Sequence, residues 1–455
     1  MFPEGGPTDW LPKSSAPVQA AVTYYVSTTG NDADDGGATR PWATVQHADG
    51  VAAPGDTVIV ADGIYRGDLL LNKSGTPGYP ITYRAQHKWG AKLLGTSSGD
   101  GSAVIRVTGG HVIVKDFDVT GKDANGIILA YAGTSASYNQ AIGNYVHDMI
   151  SPCSSNSGSA IETGGGSNYQ GISHNDMIGN LVVNITPYKG CPDGHPASGL
   201  YAEIPYSVIA NNIVINAGYA IQSWHAASHV AVVGNTIINN LRAITIGAGD
   251  APGGRTNDYS LVQNNLIYRS RKTAIAETGS TGPHNRYIHN LVYGGNTNIS
   301  LNHGLHASGT LYADPRFIRN TGTAFGDYRL SSDSPARATG VALHYTEMDF
   351  IGTTRPHFGP TDLGACLFKC TSPCPEVQTY KVAAGATAKP DAITRGQSSV
   401  VTWNTENAAA ATLNGAAVPL NGALTVHPTV TTTYKVVATS PAGQTDWGSA
   451  TITVR

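Results

Sequence analysis

The sequence is poor in charged side chains, which make up 13% of its 455 residues and leave a formal net charge of −3. It has no block of consecutive Lys and Arg, so it lacks the basic surface that binds nucleic acids or anionic membranes. No helix-turn-helix or zinc-finger pattern suggests a nucleic-acid partner either. No apolar run approaches the roughly 20 residues that cross a bilayer, and we expect no membrane span.

Cysteine is also scarce, at five residues. The cysteines do not share with histidine the spacing of a zinc site, and disulfides in an oxidising compartment fit this usage better. Residues 1–23 form a Pro- and Ser-rich N-terminal extension without the apolar segment of a signal peptide. We therefore expect a secreted chain whose signal has been removed. One disulfide within Cys366, Cys370 and Cys374 would leave an unpaired thiol.

What the sequence does contain is 54 glycines and a repeat of irregular length between Ala103 and Leu311. Each unit has a short run that begins with Gly or Ala followed by an aliphatic residue, and then a second run that carries an Asn. Units of roughly 23 to 36 residues leave no room for a helix and predict a coil of short parallel strands. Hairpins of an antiparallel barrel are the alternative, but regular Asn-Gly turns are missing. The Asn residues should form a hydrogen-bonded column: Asn144, Asn180, Asn212, Asn235, Asn265 and Asn290.

Segments on both sides of the repeat resemble known proteins. YYVSTTGNDADDGGATRPWATVQHA at 24–48 and PGDTVIVADGIY at 54–65 resemble the N-terminal cap of secreted right-handed β-helix proteins, among them the family nine polysaccharide lyases. ADPRF at 313, GDYRLSSDSPARATG at 326 and TRPHFGPTDLGA at 354 resemble the closing segment of bacterial β-helix proteins. The resemblance implies a right-handed parallel β-helix domain over residues 24–368, and it implies fold more strongly than activity. The Asp cluster and strand-borne catalytic Lys of family nine have no counterpart here, so no site residue is carried over.

The sequence pattern changes after a linker at residues 369–376. Residues 377–455 alternate apolar and polar positions with a turn every 8 to 12 residues, which predicts a small β-sandwich. This segment resembles the immunoglobulin-like (Ig-like) modules of bacterial exported enzymes, and we expect Trp403 in its core. The fold class is therefore all-β, a parallel β-helix followed by an Ig-like β-sandwich.

Strand alternation predicts which side chains of the repeat face outward. The aliphatic residue after each initial Gly or Ala should point into the coil, and the next residue should point out. Stacking the coils brings together a set of residues that we call the strip: Glu162, Tyr201, Glu203, Gln222, Trp224 and His225. No other part of the coil concentrates such residues.

Long loops enter the strip, and a solenoid usually builds its binding cleft from such loops. Cys153 lies in the loop before Glu162, and Cys191 lies in the loop before Tyr201. We predict a disulfide between these two cysteines, which would hold four further loop residues beside the strip: Tyr188, Lys189, Asp193 and His195.

Aromatic rings beside carboxylates suit sugars, because a pyranose face stacks on Trp or Tyr while carboxylates bind hydroxyls. We therefore expect a secreted, monomeric polysaccharide-degrading enzyme. The preferred interpretation is a lyase that cleaves a uronate-containing glycan by β-elimination. Lys189, His195 or Tyr201 would be the base that abstracts the C5 proton. Ca²⁺ or another cation would neutralise the uronate carboxylate. Glu162 and Glu203 would then be metal ligands or hydrogen-bond acceptors.

Two alternatives remain open. In an inverting glycoside hydrolase, Glu162 and Glu203 would be the acid and the base, at a backbone separation on the order of 8 Å by strand dimensions. Substrate contacts in either enzyme would include Tyr188, Gln222, Trp224, His225 and Arg242. A non-catalytic adhesin would use the same surface to hold a glycan without forming products.

Overall fold

The structure is a computed structural model that describes residues 21–99, 101–131, 136–151, 158–164, 171–187, 197–249, 254–324, 326–342, 345–356, 358–368, 383–406, 408, 410–439 and 445–455. The chain divides into two compact units, Met1–Arg355 with Thr361–Lys369, and Pro356–Pro360 with Cys370–Arg455. The linker prediction and several site predictions fall outside the described residues: Cys153, Tyr188, Lys189, Cys191, Asp193, His195, Cys370 and Cys374.

The first unit is a right-handed parallel β-helix, in which each coil contributes one strand to each of three parallel sheets. Sheet 1 contains Thr23–Val26, Thr57–Val60, Ile81–Ala85, Val112–Lys115, Gln140–Ile142, Asp176–Ile178, Val208–Ala210, Ala231–Val233, Leu261–Gln263 and Arg286–Ile288. Sheet 2 contains Gly63–Arg66, Ala91–Leu94, Asp118–Thr120, Tyr145–His147, Leu181–Pro187, Ile213–Ala217, Thr236–Ile238, Leu266–Ser270 and Leu291–Gly295, with Ile150–Ser151 paired beside Leu181–Pro187. Sheet 3 contains Leu69–Leu71, Ala103–Val107, Asn125–Ile128, Ile161–Glu162, Ser198–Ala202, Tyr219–Ser223, Arg242–Ala248, Thr273–Gly279 and Ile299–Ser300. The predicted parallel coil is confirmed, and it begins well before Ala103.

Aliphatic side chains fill the inside of the coil in register. In sheet 3, Ile127 pairs with Ile161, Ile161 with Leu200, and Leu200 with Ile221. All four are at most 1% exposed and belong to one continuous core. Because this row is fixed inside, the following residue of each strand must face outward.

The predicted asparagine column is present at the turn from sheet 1 to sheet 2. Asn180 Oδ1 accepts from the backbone N–H of Asn144 at 2.9 Å, and Asn180 Nδ2 donates to Asn212 Oδ1 at 3.0 Å. The pattern continues from Asn235 through Asn265 to Asn290. All six side chains are fully buried, so the column satisfies backbone groups that strands alone would leave unpaired in each turn.

The N-terminal end of the coil carries the one helix of the described residues, Val45–Val51, where Thr44 Oγ1 caps the His47 N–H at 3.1 Å. Among the described residues, no helix has the length and apolar character needed to cross a membrane.

After the last coil, the chain returns along the outside of the β-helix. It forms the short strands Phe317–Arg319, Asp327–Leu330, Gly340–Val341 and Pro360–Thr361. Arg355 is buried, and its guanidinium donates to Asn211 Oδ1 at 3.0 Å and to the Gly364 carbonyl at 2.7 Å. These bonds fix the closing segment to the coil. Cys366 is a buried free thiol, and burial raises its pKa to about 12.

The second unit consists of two small sheets. One contains Ala383–Lys389, Ser399–Glu406 and Gly422–Val426, and the other contains Ala392–Ile393, Ala410–Leu413, Ala416–Val418, Thr432–Thr439 and Thr445–Val454. Trp403 lies in the core of this unit at 5% exposure, as the alternation predicts. The immunoglobulin-like resemblance stays a prediction.

Candidate functional site

Sheet 3 brings the predicted outward residues into one row. Ile128 pairs with Glu162, Glu162 with Tyr201, Tyr201 with Gln222, and Gln222 with Thr245. The backbone amide of Ala226 donates to the carbonyl of Glu203 at 3.0 Å, which holds the ends of two neighbouring strands of the strip together. The strip is therefore contiguous in the structure.

The two carboxyl groups of the strip are more buried than a surface site suggests. Glu162 is 7% exposed and Glu203 is 4% exposed. Burial, and after it the charge of Glu203, raises the pKa of the Glu162 carboxyl well above its ordinary value. A hydrogen bond from Ser159 and the charge of Arg106 act in the opposite direction without cancelling the shift. Glu162 is thus held toward its protonated form beside a second carboxyl group.

Glu203 is positioned by its neighbours. Its backbone N–H donates to Thr163 Oγ1 at 3.1 Å, and its Oε1 lies 3.3 Å from Nε2 of His225. The ring of Tyr201 lies 5.8 Å from the His225 ring, between centroids. His225 has a positive φ of 54°, an uncommon conformation for a residue other than glycine. A carboxylate, an imidazole and a phenol thus meet on two neighbouring strands.

Gln222 and Trp224 complete the strip in different ways. Gln222 Oε1 accepts from Ser198 Oγ at 2.8 Å, which leaves the amide NH₂ group as a donor. The half-buried indole of Trp224 lies over two glycines of the following strands: a Cβ added to Gly247 would lie 2.8 Å from the ring, and one added to Gly279 would collide with it. The ring therefore extends away from Glu203 toward the later coils.

Two arginines differ in their position relative to the row: Arg106 belongs to it, whereas Arg242 lies at a distance from it. Arg106 pairs with Ile128, so it precedes Glu162 by two strands, and its guanidinium lies 4.1 Å above the Tyr131 ring. Sequence reasoning missed Arg106, although it occupies the fourth position of AVIRV and extends the predicted row by one unit. Arg242 begins its strand three residues before the row and lies over Tyr219 at 5.3 Å, so it does not join the strip.

A groove of about 560 Å³ borders the strip on the side of sheet 1. It crosses four successive coils and is lined by Gly171, Ile172, Ser173, Pro205, Tyr206, Ala226, Ser228, Gly254, Arg255 and Thr256. Pro205 follows Glu203 by two residues, and Ala226 follows His225 directly. A chain-like ligand in this groove would pass beside the carboxylate and the imidazole.

The described residues do not fit a Ca²⁺ site. Ca²⁺ takes six to eight oxygen ligands, whereas no three His, Cys, Asp or Glu side chains in the described part of the chain converge on a metal position. Glu162 and Glu203 offer two carboxyl groups, and the raised pKa of Glu162 favours its protonated form, which binds metals poorly.

The fold defines the class of the first unit as a right-handed parallel β-helix protein. A family model described as "Pel9A-like, right handed beta helix region" matches residues 24–204, which confirms that this part of the chain is similar to such proteins. An uncharacterized Bacillus subtilis protein, YwoF, is 31% identical over 134 residues, which are 27% of this chain and 29% of that protein. The chain thus spans less than a third of this relative.

Solved structures also resemble the chain at low identity. Pectate lyase Pel9A is 16% identical, with a TM-score of 0.39, over 77% of this chain and 98% of the other. XylC in complex with xylose is 11% identical, with a TM-score of 0.42, over 76% of this chain and 98% of the other.

Proposed function

We propose that the strip cleaves a uronate-containing polysaccharide by β-elimination while the groove holds the polymer, and that the protein acts outside the cell. One observation carries this proposal: four titratable side chains lie together on neighbouring strands, Glu162, Tyr201, Glu203 and His225. Perturbed ionisable groups beside a groove are the usual setting of acid–base catalysis. The similarity of residues 24–204 to a Pel9A-like β-helix region supports the fold on which this chemistry is placed.

The reaction follows from the roles that each side chain can take. The imidazole of His225, oriented by Glu203, accepts the C5 proton of the uronate. The electron pair of the C5–H bond forms the C4–C5 double bond. The C4–O4 bond breaks, and its oxygen keeps the bonding pair and receives a proton from the phenol of Tyr201. Each proton transfer by a positioned group contributes about 10²- to 10⁴-fold to the rate.

Negative charge that develops next to the uronate carboxylate needs donors. Protonated Glu162 is one such donor, because burial and the Glu203 charge favour its acid form. The amide NH₂ group of Gln222 is a second, since Ser198 engages only its oxygen. The guanidinium of Arg255 on the groove wall pairs with the carboxylate of a neighbouring uronate. Chain residues can therefore perform this elimination without a metal ion.

A two-carboxyl hydrolase is the second candidate, and the Glu162–Glu203 pair is the observation that favours it. A protonated Glu162 would act as the general acid and Glu203 as the base that activates water. In that case the products carry new reducing ends and no C4–C5 double bond.

The test is incubation with polygalacturonate, alginate and neutral xylan, with ultraviolet absorbance and reducing ends measured together. We expect absorbance with a uronate polymer, and a loss of roughly 100-fold or more in His225→Ala and Tyr201→Phe. Tyr219→Phe is the matched control, because this tyrosine lies in the same sheet beneath Arg242 and outside the strip. Reducing ends without absorbance would identify a hydrolase. Glycan binding without any product would identify an adhesin and contradict the proposal.

A further inference from the structure

An unusual column of aromatic rings runs along the outside of the coil. It occupies the turn from sheet 3 to sheet 1, one or two residues before each strand of sheet 1, on seven successive coils. Histidine and tyrosine alternate strictly in this column, which we call the ring ladder: His111, Tyr138, His174, Tyr206, His229, Tyr259 and His284. Neighbouring ring centroids are 4.5 to 5.1 Å apart.

The backbone at this turn is held in an uncommon conformation. The first six residues of the ring ladder all have positive φ, between 53° and 62°. In the first five of them the backbone N–H donates to a carbonyl of the next coil, as Tyr206 N–H does to Ser228 at 3.0 Å. The N–H of Tyr259 donates instead to Asp258 Oδ1 at 3.0 Å. Left-handed geometry is costly for a bulky side chain such as Tyr, yet the turn keeps it in six successive coils.

Stacking determines which part of each tyrosine remains accessible. Tyr206 lies between His174 and His229, so both ring faces are covered, and yet the residue is 40% exposed. Tyr138 and Tyr259 are likewise sandwiched, at 36% and 37% exposure. The exposed part is therefore the ring edge. In the described part of the chain, these three tyrosine hydroxyls make no hydrogen bond, so they can bind a ligand.

The ring ladder meets the groove at Tyr206 and continues along the coil on both sides of this residue. Tyr206 lines the groove directly, and Ser173 and Ser228, which also line it, precede His174 and His229 in the chain. In two successive coils the chain passes in the same order from the strip, through the groove, to the ring ladder. The groove therefore runs parallel to the coil axis, between the acid–base residues and the column to which Tyr206 belongs.

We infer that the ring ladder is an extended glycan-binding track, on which the hydroxyls of Tyr138, Tyr206 and Tyr259 bind successive parts of an acidic polysaccharide. This inference rests on the proposed function and extends it beyond the reacting sugar. The ring edges repeat at about the rise of one coil, a length comparable to one sugar of an extended polymer. The tyrosine hydroxyls lie two coils apart, or about 10 Å, so each contacts a different sugar along the chain.

The test compares variants that keep the ring stack and lose only hydroxyls. Affinity electrophoresis in polygalacturonate and in alginate measures binding by the parent and by the triple variant Tyr138→Phe, Tyr206→Phe and Tyr259→Phe. We expect one of the polymers to retard the parent. The triple variant should bind on the order of 100-fold more weakly, at about 5-fold for each lost hydrogen bond. Unfolding temperature should not change, because phenylalanine preserves the stacking.

The matched control is Tyr293→Phe. Tyr293 is 36% exposed and packs against Tyr268 with centroids 6.0 Å apart, but it belongs to sheet 2. Its affinity should equal that of the parent. Single variants should differ in how their effect depends on ligand length, measured with oligomers of the polymer that retards the parent. Tyr206→Phe should weaken binding of short and long oligomers, whereas Tyr138→Phe should weaken binding of the longer ones only.

Three results would overturn the inference: parent-like affinity of the triple variant, an equal loss in Tyr293→Phe, or no retardation of the parent by either polymer. The proposed function fails separately. If it is wrong, the parent binds through the tyrosines and forms no product, whereas a failed ring ladder leaves binding and cleavage unchanged in the triple variant.

Discussion

Removal of one asparagine from the buried column should destabilise the β-helix by several kcal/mol. In Asn180→Ala, the backbone N–H and the side-chain NH₂ of Asn144 lose Asn180 Oδ1, which accepts a hydrogen bond from each of them, at 2.9 and 3.1 Å. The Ala141 carbonyl loses its donor at 2.9 Å, and Asn212 loses one of its two bonds to Asn180. The Asn144 N–H and the Ala141 carbonyl lose side-chain partners that the substitution does not replace. At about 2 kcal/mol for each such buried group, the cost is about 4 kcal/mol.

Urea unfolding followed by circular dichroism measures this cost, and the change in midpoint is read together with the slope. The control is Asn320→Ala, because Asn320 is exposed and accepts one bond, from Gly322 N–H at 3.1 Å. It should cost at most about 1 kcal/mol. If Asn180→Ala unfolds at the same urea concentration as Asn320→Ala, the column does not stabilise the coil and the reasoning is wrong.

Three further outcomes are expected. Glu203→Gln should lower turnover roughly 100-fold. The activity that remains should fall at a lower pH on the alkaline side of the pH–rate profile than in the parent, because removal of this charge lowers the pKa of Glu162. An unchanged alkaline side of the profile would contradict this interaction between the two carboxyl groups. Chelator treatment should leave cleavage unchanged, as measured by ultraviolet absorbance, and loss of activity that Ca²⁺ restores would refute the metal-free mechanism. Burial disfavours charged His147, but hydrogen bonds to Asp118 and Asp148 outweigh burial and raise its pKa; its stabilisation should be complete below about pH 6.5 and lost as pH rises through the folded pKa, so the urea midpoints of the parent and His147→Gln should converge at alkaline pH.

The parts of the fold that were predicted from sequence are those that repeat from coil to coil. A stacked coil places equivalent residues one above another, so an alignment of units is also a map of contacts. The Asn column and the pairing of Glu162 with Tyr201 follow from this rule alone. Irregular loop lengths do not disturb it, because the strand register is fixed by the inward aliphatic row.

Features that depend on side-chain direction were not predictable in the same way. The alignment put Trp224 in the strip, but its ring turns toward Gly247 because that neighbour has no side chain to exclude it. Alternation predicted that Glu162 faces outward, yet it could not predict 7% exposure or the raised pKa, since both depend on what packs over the strand. The sequence therefore predicts the place of a residue in the repeat, but it does not predict how deeply the side chain is buried or which groups surround it.

The ring ladder shows how a repeat can escape detection even when its positions are visible. Its residues recur once per coil, but histidine and tyrosine alternate, so the chemical identity repeats only every second coil. Adjacent units such as those with His174 and Tyr206 look unrelated when single residue types are compared. A comparison by ring character, at the position just before each strand of sheet 1, would have revealed it. The same coil geometry that stacks these rings also brings Glu203 and His225 beside the groove. The proposed binding and the proposed chemistry therefore depend on the same strand register, and a substitution that shifts the register of a single coil should impair both together.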